Sequence, residues 1–291
     1  MKMHYYPGCT LKNKGKNLDR PAVSAMAMLG VELVELPRWN CCGAVHSLTS
    51  DDLIHQVAPV RNLVRAKEDG ATELVTLCAL CYQTLARANL LIRGNAKKRD
   101  TINAFMDEEI DYLGEVEVVH LLQAIKTLGF AKVSERVRVP LKGLKVAPYY
   151  GCTLLRPREI AIDDPDRPTV LQDLLKSLGA GVTDFAPLSQ CCGSYHIVGN
   201  PDVVPQCAWN ILHSAVRSGA EAVVTSCPLC DYNLGREQER LKKEHESFKG
   251  LPVIYFTQLL ALALGVPAAD CQLDGNFGDP ATLLTNKGLL N

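Results

Sequence analysis

Five cysteines in a fixed order, Cys9, the adjacent pair Cys41-Cys42, then Cys78 and Cys81, recur as Cys152, Cys191-Cys192, Cys227 and Cys230. The offset between matching cysteines stays between 143 and 150 residues. The neighbours recur as well. Tyr5-Tyr6-Pro7-Gly8-Cys9-Thr10-Leu11 reads again as Tyr149-Tyr150-Gly151-Cys152-Thr153-Leu154, one residue shorter. Each cysteine pair is followed by a glycine, Gly43 or Gly193, and three residues later by a histidine, His46 or His196. The run Glu73 to Cys81 matches Glu221 to Cys230 with one residue inserted, and Val118-Val119-His120-Leu121-Leu122-Gln123 resembles Ile254-Tyr255-Phe256-Thr257-Gln258. Such a chain is expected to fold as two copies of one unit.

Residues 1–131 and 144–266 form these halves, and the polar, charged stretch 132–143 with Pro140 reads as the connector. The last stretch, 267–291, has little periodicity and reads as an irregular tail. In the first half, strands are expected over 2–6, 31–36, 74–77 and 116–119. Helices are expected over 18–29, 52–69, 82–92 and 121–128, with a further one near 101–113. The second half gives strands near 145–150, 182–185, 222–225 and 253–256. Short β-rich runs alternating with longer helical ones imply an α/β fold: two pseudo-symmetric halves, each a short, mostly parallel sheet flanked by helices. Every motif cysteine comes at or just after a strand's end, so the thiols collect at the carboxyl edge, where open parallel sheets bind ligands. Cys81 and Cys230 open helices, whose N-terminal dipole favours a thiolate.

The 47% hydrophobic and 22% charged residues exclude a disordered chain, and a net charge of −1 gives no reason to expect nucleic acid. The longest apolar run, 259–264, is far short of the roughly 18–20 residues of a membrane span. With no signal-peptide pattern, a cytoplasmic protein is expected. In that reducing compartment, twelve cysteines point to metal or redox chemistry rather than disulfides. Cys207 and Cys271 lack counterparts and read as a buried structural thiol and a free thiol.

Cys-x2-Cys alone also serves zinc sites and thioredoxin-like dithiols. A thioredoxin-type site needs neither the adjacent pair nor a fifth cysteine, and structural zinc and a four-iron cubane each take four ligands. Neighbouring side chains on extended backbone point opposite ways. The adjacent pair must therefore sit in a tight loop, which Gly43 and Gly193 permit. A cluster with irons several ångströms apart relaxes that demand. An iron–sulfur centre is the reading these residues favour. A zinc-stabilised interaction module remains the alternative, as do purely structural cysteines.

The double Cys…Cys-Cys-Gly…Cys-x-x-Cys pattern resembles the B component of heterodisulfide reductase over nearly the whole chain, and its wording is most similar to the bacterial-type homologues. The resemblance implies two non-cubane [4Fe-4S] clusters, each held by five cysteines: Cys9, Cys41, Cys42, Cys78 and Cys81, then Cys152, Cys191, Cys192, Cys227 and Cys230. It implies the catalytic component of a multi-subunit oxidoreductase, cleaving or forming a disulfide between the facing clusters. The rival is an electron relay or scaffold with no disulfide of its own. The chain has no ferredoxin-type cysteine run and no Gly-x-Gly-x-x-Gly fingerprint. Partners are therefore implied: a cubane-bearing protein resembling the C component of heterodisulfide reductase and a flavoprotein resembling its A component.

Two further groups stand out. His46 and His196, at matching offsets, suit proton delivery to a nascent thiolate, or else brace a loop. Lys12, Lys14 and Lys16 follow the first cysteine and Arg156 and Arg158 follow its counterpart, where they would bind an anionic thiol substrate or serve as helix-flanking charge.

Overall fold

The computed structural model describes residues 1–44 and 53–290. The first half runs β1 (Lys2–Tyr5), α1 (Gly8–Lys12), α2 (Lys16–Met28), β2 (Glu32–Glu35), α3 (Val57–Glu68), β3 (Glu73–Thr76), α4 (Ala79–Gly94), α5 (Ala96–Phe105), β4 (Glu117–His120) and α6 (Leu121–Leu128). Helix α7 (Phe130–Arg136) leads into the second half. There β5 (Lys145–Pro148), α8 (Val170–Ser177), β6 (Gly181–Val182), α9 (Val203–Arg217), β7 (Ala222–Thr225), α10 (Pro228–Arg236), α11 (Gln238–Glu244), β8 (Val253–Tyr255) and α12 (Phe256–Ala263) follow, then α13 (Pro280–Asn286).

Each half holds one four-stranded, all-parallel sheet, in the order β2-β1-β3-β4 and β6-β5-β7-β8. Burial on both faces demands continuously apolar strands. The strand β7, Ala-Val-Val-Thr, is buried at every position. The chain goes from β1 to β2 on one side and then to β3 and β4 on the other. The crevice beyond the carboxyl ends of β1 and β3 is thus a topological switch point, and β5 and β7 make the same one.

The strands correct the alignment read from sequence. β1 and β5 match at a constant offset, so Tyr6 is the counterpart of Tyr149 and no residue is missing. The repeated Tyr-Tyr pair suggested a gap because Tyr5 happens to precede Tyr6, whereas Pro148 holds Tyr5's place. Likewise β3 and β7 align without an insertion, Glu73 with Ala222. The helix expected near 101–113 starts earlier and ends earlier. Asn95 caps α5 by accepting from the Lys98 amide at 2.9 Å, and beyond Phe105 the chain turns back to bury Tyr112, whose hydroxyl donates to Asn89 at 2.8 Å.

The halves meet through a contact made twice. α2 packs on α12, and their counterparts α8 and α6 pack on each other, as a pseudo-twofold requires. Thr257 on α12 donates to the Leu18 carbonyl at 3.0 Å. The stretch read as a connector contributes to α7 and then bonds to the second half, with the Arg138 and Val139 amides donating to Ala263 at 2.8 and 3.0 Å. The segment read as an irregular tail carries α13. Its Asn276 donates to the Val253 carbonyl at 2.8 Å and accepts from Gln258 at 2.6 Å and Asn17 at 3.4 Å, tying the two halves. Cys271 in this segment is fully buried, and Cys207 is half-buried on α9.

His120 caps α6 at the seam. Its Nδ1 accepts from the Leu122 amide at 3.2 Å, leaving Nε2–H to donate to the Leu77 carbonyl at 3.0 Å. Burial pushes this imidazole down to about 4 from an ordinary 6.5, against the weaker pull of the Leu77 carbonyl. The folded state thus holds a neutral ring. Its contribution to stability is complete above pH 6.5 and is lost as pH falls through 4, a loss of about 3 kcal/mol from this group. His120→Asn keeps a capping acceptor and removes the titration. Chemical denaturation of the variant at pH 7 and pH 4.5 is expected to give a smaller stability difference than in the parent; an equal difference would exclude His120 as its source.

Candidate iron–sulfur centres

At the switch point of the first half, five thiols form an unbroken chain of neighbours. Cys9 Sγ lies 3.5 Å from Cys41 Sγ, and Cys42 Sγ lies 3.5 Å from Cys81 Sγ. Hydrogen bonds between Cys41 and Cys42 and between Cys81 and Cys78 complete it. The second half repeats the order: Cys152, Cys191, Cys192, Cys230, Cys227. In each half the last three thiols of this chain are buried, while Cys9 and Cys41 are exposed and Cys152 and Cys191 half-exposed. Each set therefore has a sealed inner end and an open outer end.

Local structure explains the convergence. Cys78 and Cys227 occupy the N-cap positions of α4 and α10, and Cys81 and Cys230 the third helical positions, so both thiols of each Cys-x2-Cys sit in the positive field of a helix start. The left-handed conformation expected of the glycine after each pair is present, with φ of 72° at Gly43 and 85° at Gly193. The first-motif glycines were not singled out from sequence. Gly8 and Gly151 have φ of 72° and 67°, and a Cβ on them would lie 2.9 Å from Cys81 Sγ and 3.1 Å from Cys230 Sγ. Two buried tyrosines brace the pair loops. Tyr6 donates to the Asn40 carbonyl at 2.8 Å and Tyr149 to the Gln190 carbonyl at 2.6 Å, each acceptor directly preceding a Cys-Cys pair.

Thiols this close cannot all ionise. Cys42 is drawn down to about 4 by hydrogen bonds from Cys41 and then Cys81, and both of those are pushed up, each first by its bond to Cys42. In the second half Cys191 is lowered by bonds from Cys152 and Cys192, which are raised in turn, Cys192 to about 12. Bound cations would lift this restriction, since a coordinating thiol is deprotonated outright. Each half brings five thiols to one place, one more than a four-coordinate zinc takes. A string of five thiols fits a multi-iron cluster better.

One side chain feels charge from both sets. The buried phenol of Tyr255 is pushed up by burial first, then by charge on Asp231, on Cys227 of its own half and on Cys78 of the other. His196 is exposed on a 3-10 turn, Ser194–His196, directly after the second pair; His46 lies outside the described residues. Lys12 is ion-paired with Glu35, and Lys14 and Lys16 are exposed. Arg158 pairs with Asp166 at 2.6 Å, and Arg156 is exposed while its carbonyl accepts from Gln83 at 2.6 Å.

A profile of the cysteine-rich CCG domain matches residues 3–86 and again 146–235, one copy in each half. The chain belongs to the CCG family. This CCG iron–sulfur protein is 34% identical, over 96% of its length and 98% of the relative's, to the 8-methylmenaquinol:fumarate reductase membrane anchor subunit of Wolinella succinogenes. It is 28% identical, over 94% and 93%, to the B component of the ferredoxin/F420H2-dependent CoB-CoM heterodisulfide reductase of Methanosarcina acetivorans. A protein of Archaeoglobus profundus described as like the heterodisulfide reductase B component is also 28% identical, over 91% of each chain. A crystal structure of a hypothetical protein from Helicobacter pylori shares the fold, with a TM-score of 0.74 at 14% identity; the match spans 95% of this CCG protein and about half, 51%, of that neighbour. Among the described residues of the CCG protein, no helix is long and apolar enough to cross a membrane.

Proposed function

We propose that this CCG protein is an iron–sulfur redox subunit of a multi-subunit oxidoreductase, and that its paired centres cleave or form a disulfide. Cys9, Cys41, Cys42, Cys78 and Cys81 would hold one non-cubane [4Fe-4S] cluster, and Cys152, Cys191, Cys192, Cys227 and Cys230 the other. When bound, each cluster supplies a one-electron store next to sulfur, so the pair matches the two electrons of an S–S bond. The observation that carries this reading is the same five-thiol string in both halves, open at its outer end, with Tyr255 in electrostatic reach of both sets. The outer cysteines leave room for an incoming sulfur, and the buried inner thiols keep water from the sealed end. His196, exposed beside the second pair, and His46 would deliver protons to the departing thiolates. Electrons would come from two partners, a cubane-bearing protein and a flavoprotein like the C and A components of heterodisulfide reductase.

The test is reduction of 2-hydroxyethyl disulfide by the anaerobically purified protein with a reduced viologen as donor. Turnover is expected, and it should stop when the cysteines of either set are replaced. His196→Gln is expected to lower the rate and flatten its profile across pH 6–8. An unchanged profile would make His196 a loop brace.

The relative from Wolinella succinogenes favours a second reading, because its name couples it to a quinol and fumarate rather than to a disulfide. In that case the clusters pass electrons between partner proteins. Reduced protein would then be reoxidised by a water-soluble quinone analogue and not by the disulfide.

A further inference from the structure

The pseudo-symmetry breaks at one place beside the second thiol set. Between Cys152 and β6 the chain is six residues longer than between Cys9 and β2, and α8 starts late, so residues 156–169 form a loop where the first half already has the start of α2. That loop is fixed against α4 of the first half. Tyr82 donates to the Ile160 carbonyl at 2.7 Å, and Gln83 donates to the Arg156 carbonyl. Between loop and helix runs an open cavity of about 420 Å³. Arg87, Leu90 and Leu91 of α4 line one wall, with Lys98 of α5 and Leu53, and Glu159 of the loop stands opposite.

Arg87 is the residue that decides what fits. It is half-buried and, among the described residues, has neither an ion pair nor a hydrogen bond. A half-buried guanidinium normally has an anionic partner, because its desolvation is otherwise uncompensated. Lys98, without an ion pair among the described residues, adds a second cation against the carboxylate of Glu159 in the lining. The other basic candidates near the thiols, Lys12 and Arg158, already face carboxylates. Arg87 is also within electrostatic reach of Tyr195, which closely follows the second cysteine pair. Its charge acts on the Tyr195 phenol, which feels Cys152, Cys191 and Cys227 as well.

We infer that this cavity binds a small organic anion, with its charged end on Arg87 and its apolar body along Leu90 and Leu91, directed at the open end of the second thiol set. The inference rests on the redox reading only in making that anion a substrate. The leucines select against a bare inorganic ion, and the cavity size suits a molecule in the lower part of the 300–1,000 Å³ range usual for ligand sites.

The test uses the full holo protein and two disulfides of similar length, dithiodipropionate, a dianion, and 2-hydroxyethyl disulfide, which is neutral. Isothermal titration under anaerobic conditions is expected to show the dianion binding at least tenfold more tightly. A charge-assisted hydrogen bond is worth about 1.5–3 kcal/mol, or roughly 10–150-fold. In Arg87→Gln the preference should collapse, so that the two bind alike, with iron content unchanged. Lys98→Gln should lower dianion affinity by a smaller factor. Absence of dianion binding, or a preference that survives R87Q, would overturn the inference. Binding without turnover would leave it standing and refute disulfide chemistry. Turnover of the dianion in R87Q at the parental rate and KM would do the reverse.

Discussion

Replacing Cys42 with serine is expected to strip iron from the first half and leave the second half loaded. Cys42 is the middle link of its string, in contact with Cys41 and Cys81, and it is the most acidic of its set, so its loss removes the ligand best prepared for metal. Cys192 is likewise the middle link of its string, although there the lowered thiol is Cys191. Iron content should fall by about half in either variant and nearly to zero in the double variant. Because the sets belong to separate sheets, the surviving cluster should keep the spectrum it has in the parent. If C42S emptied both sets, the halves would share a centre rather than hold one each.

Gly8→Ala is expected to have nearly as large an effect on the first cluster, although it changes no ligand. Two penalties coincide there. The backbone is left-handed, which an L-residue tolerates at roughly 1–2 kcal/mol, and the added methyl would press on Cys81 Sγ at 2.9 Å. Gly30→Ala separates the two. Its φ of 80° carries the same backbone penalty, but no atom lies within 4 Å of the added carbon. G8A should lose more stability than G30A, which carries the backbone penalty alone. Iron loss confined to the first half is expected in G8A alone. Equal iron content in G8A and G30A would mean that the close approach of Gly8 to Cys81 has no part in cluster binding.

The duplicated cysteine pattern made the two parallel sheets and the convergence of thiols readable before any coordinates, because strand ends and motif positions coincide in both copies. What stayed hidden has physical reasons. Tyr6 and Tyr149 bond to carbonyls more than thirty residues away, so their equivalence is visible only once β1 and β5 are superimposed. Gly8 and Gly151 drew no reading from sequence because their task depends on a sulfur carried by a distant helix. Arg87 sits in the body of α4 with no motif around it. Its setting exists only because the loop after Cys152 crosses from the other half. Conversely, Lys12 and Arg158 were conspicuous as charges following a cysteine, and sequence could not reveal the carboxylates of Glu35 and Asp166 beside them.

A multi-iron centre in each half is tested most directly by elemental analysis of the anaerobically purified chain for iron, acid-labile sulfide and zinc. About eight irons per chain are expected, with matching sulfide and negligible zinc, four for each five-thiolate set. One zinc per half with negligible iron would contradict it and make the ten cysteines a structural scaffold.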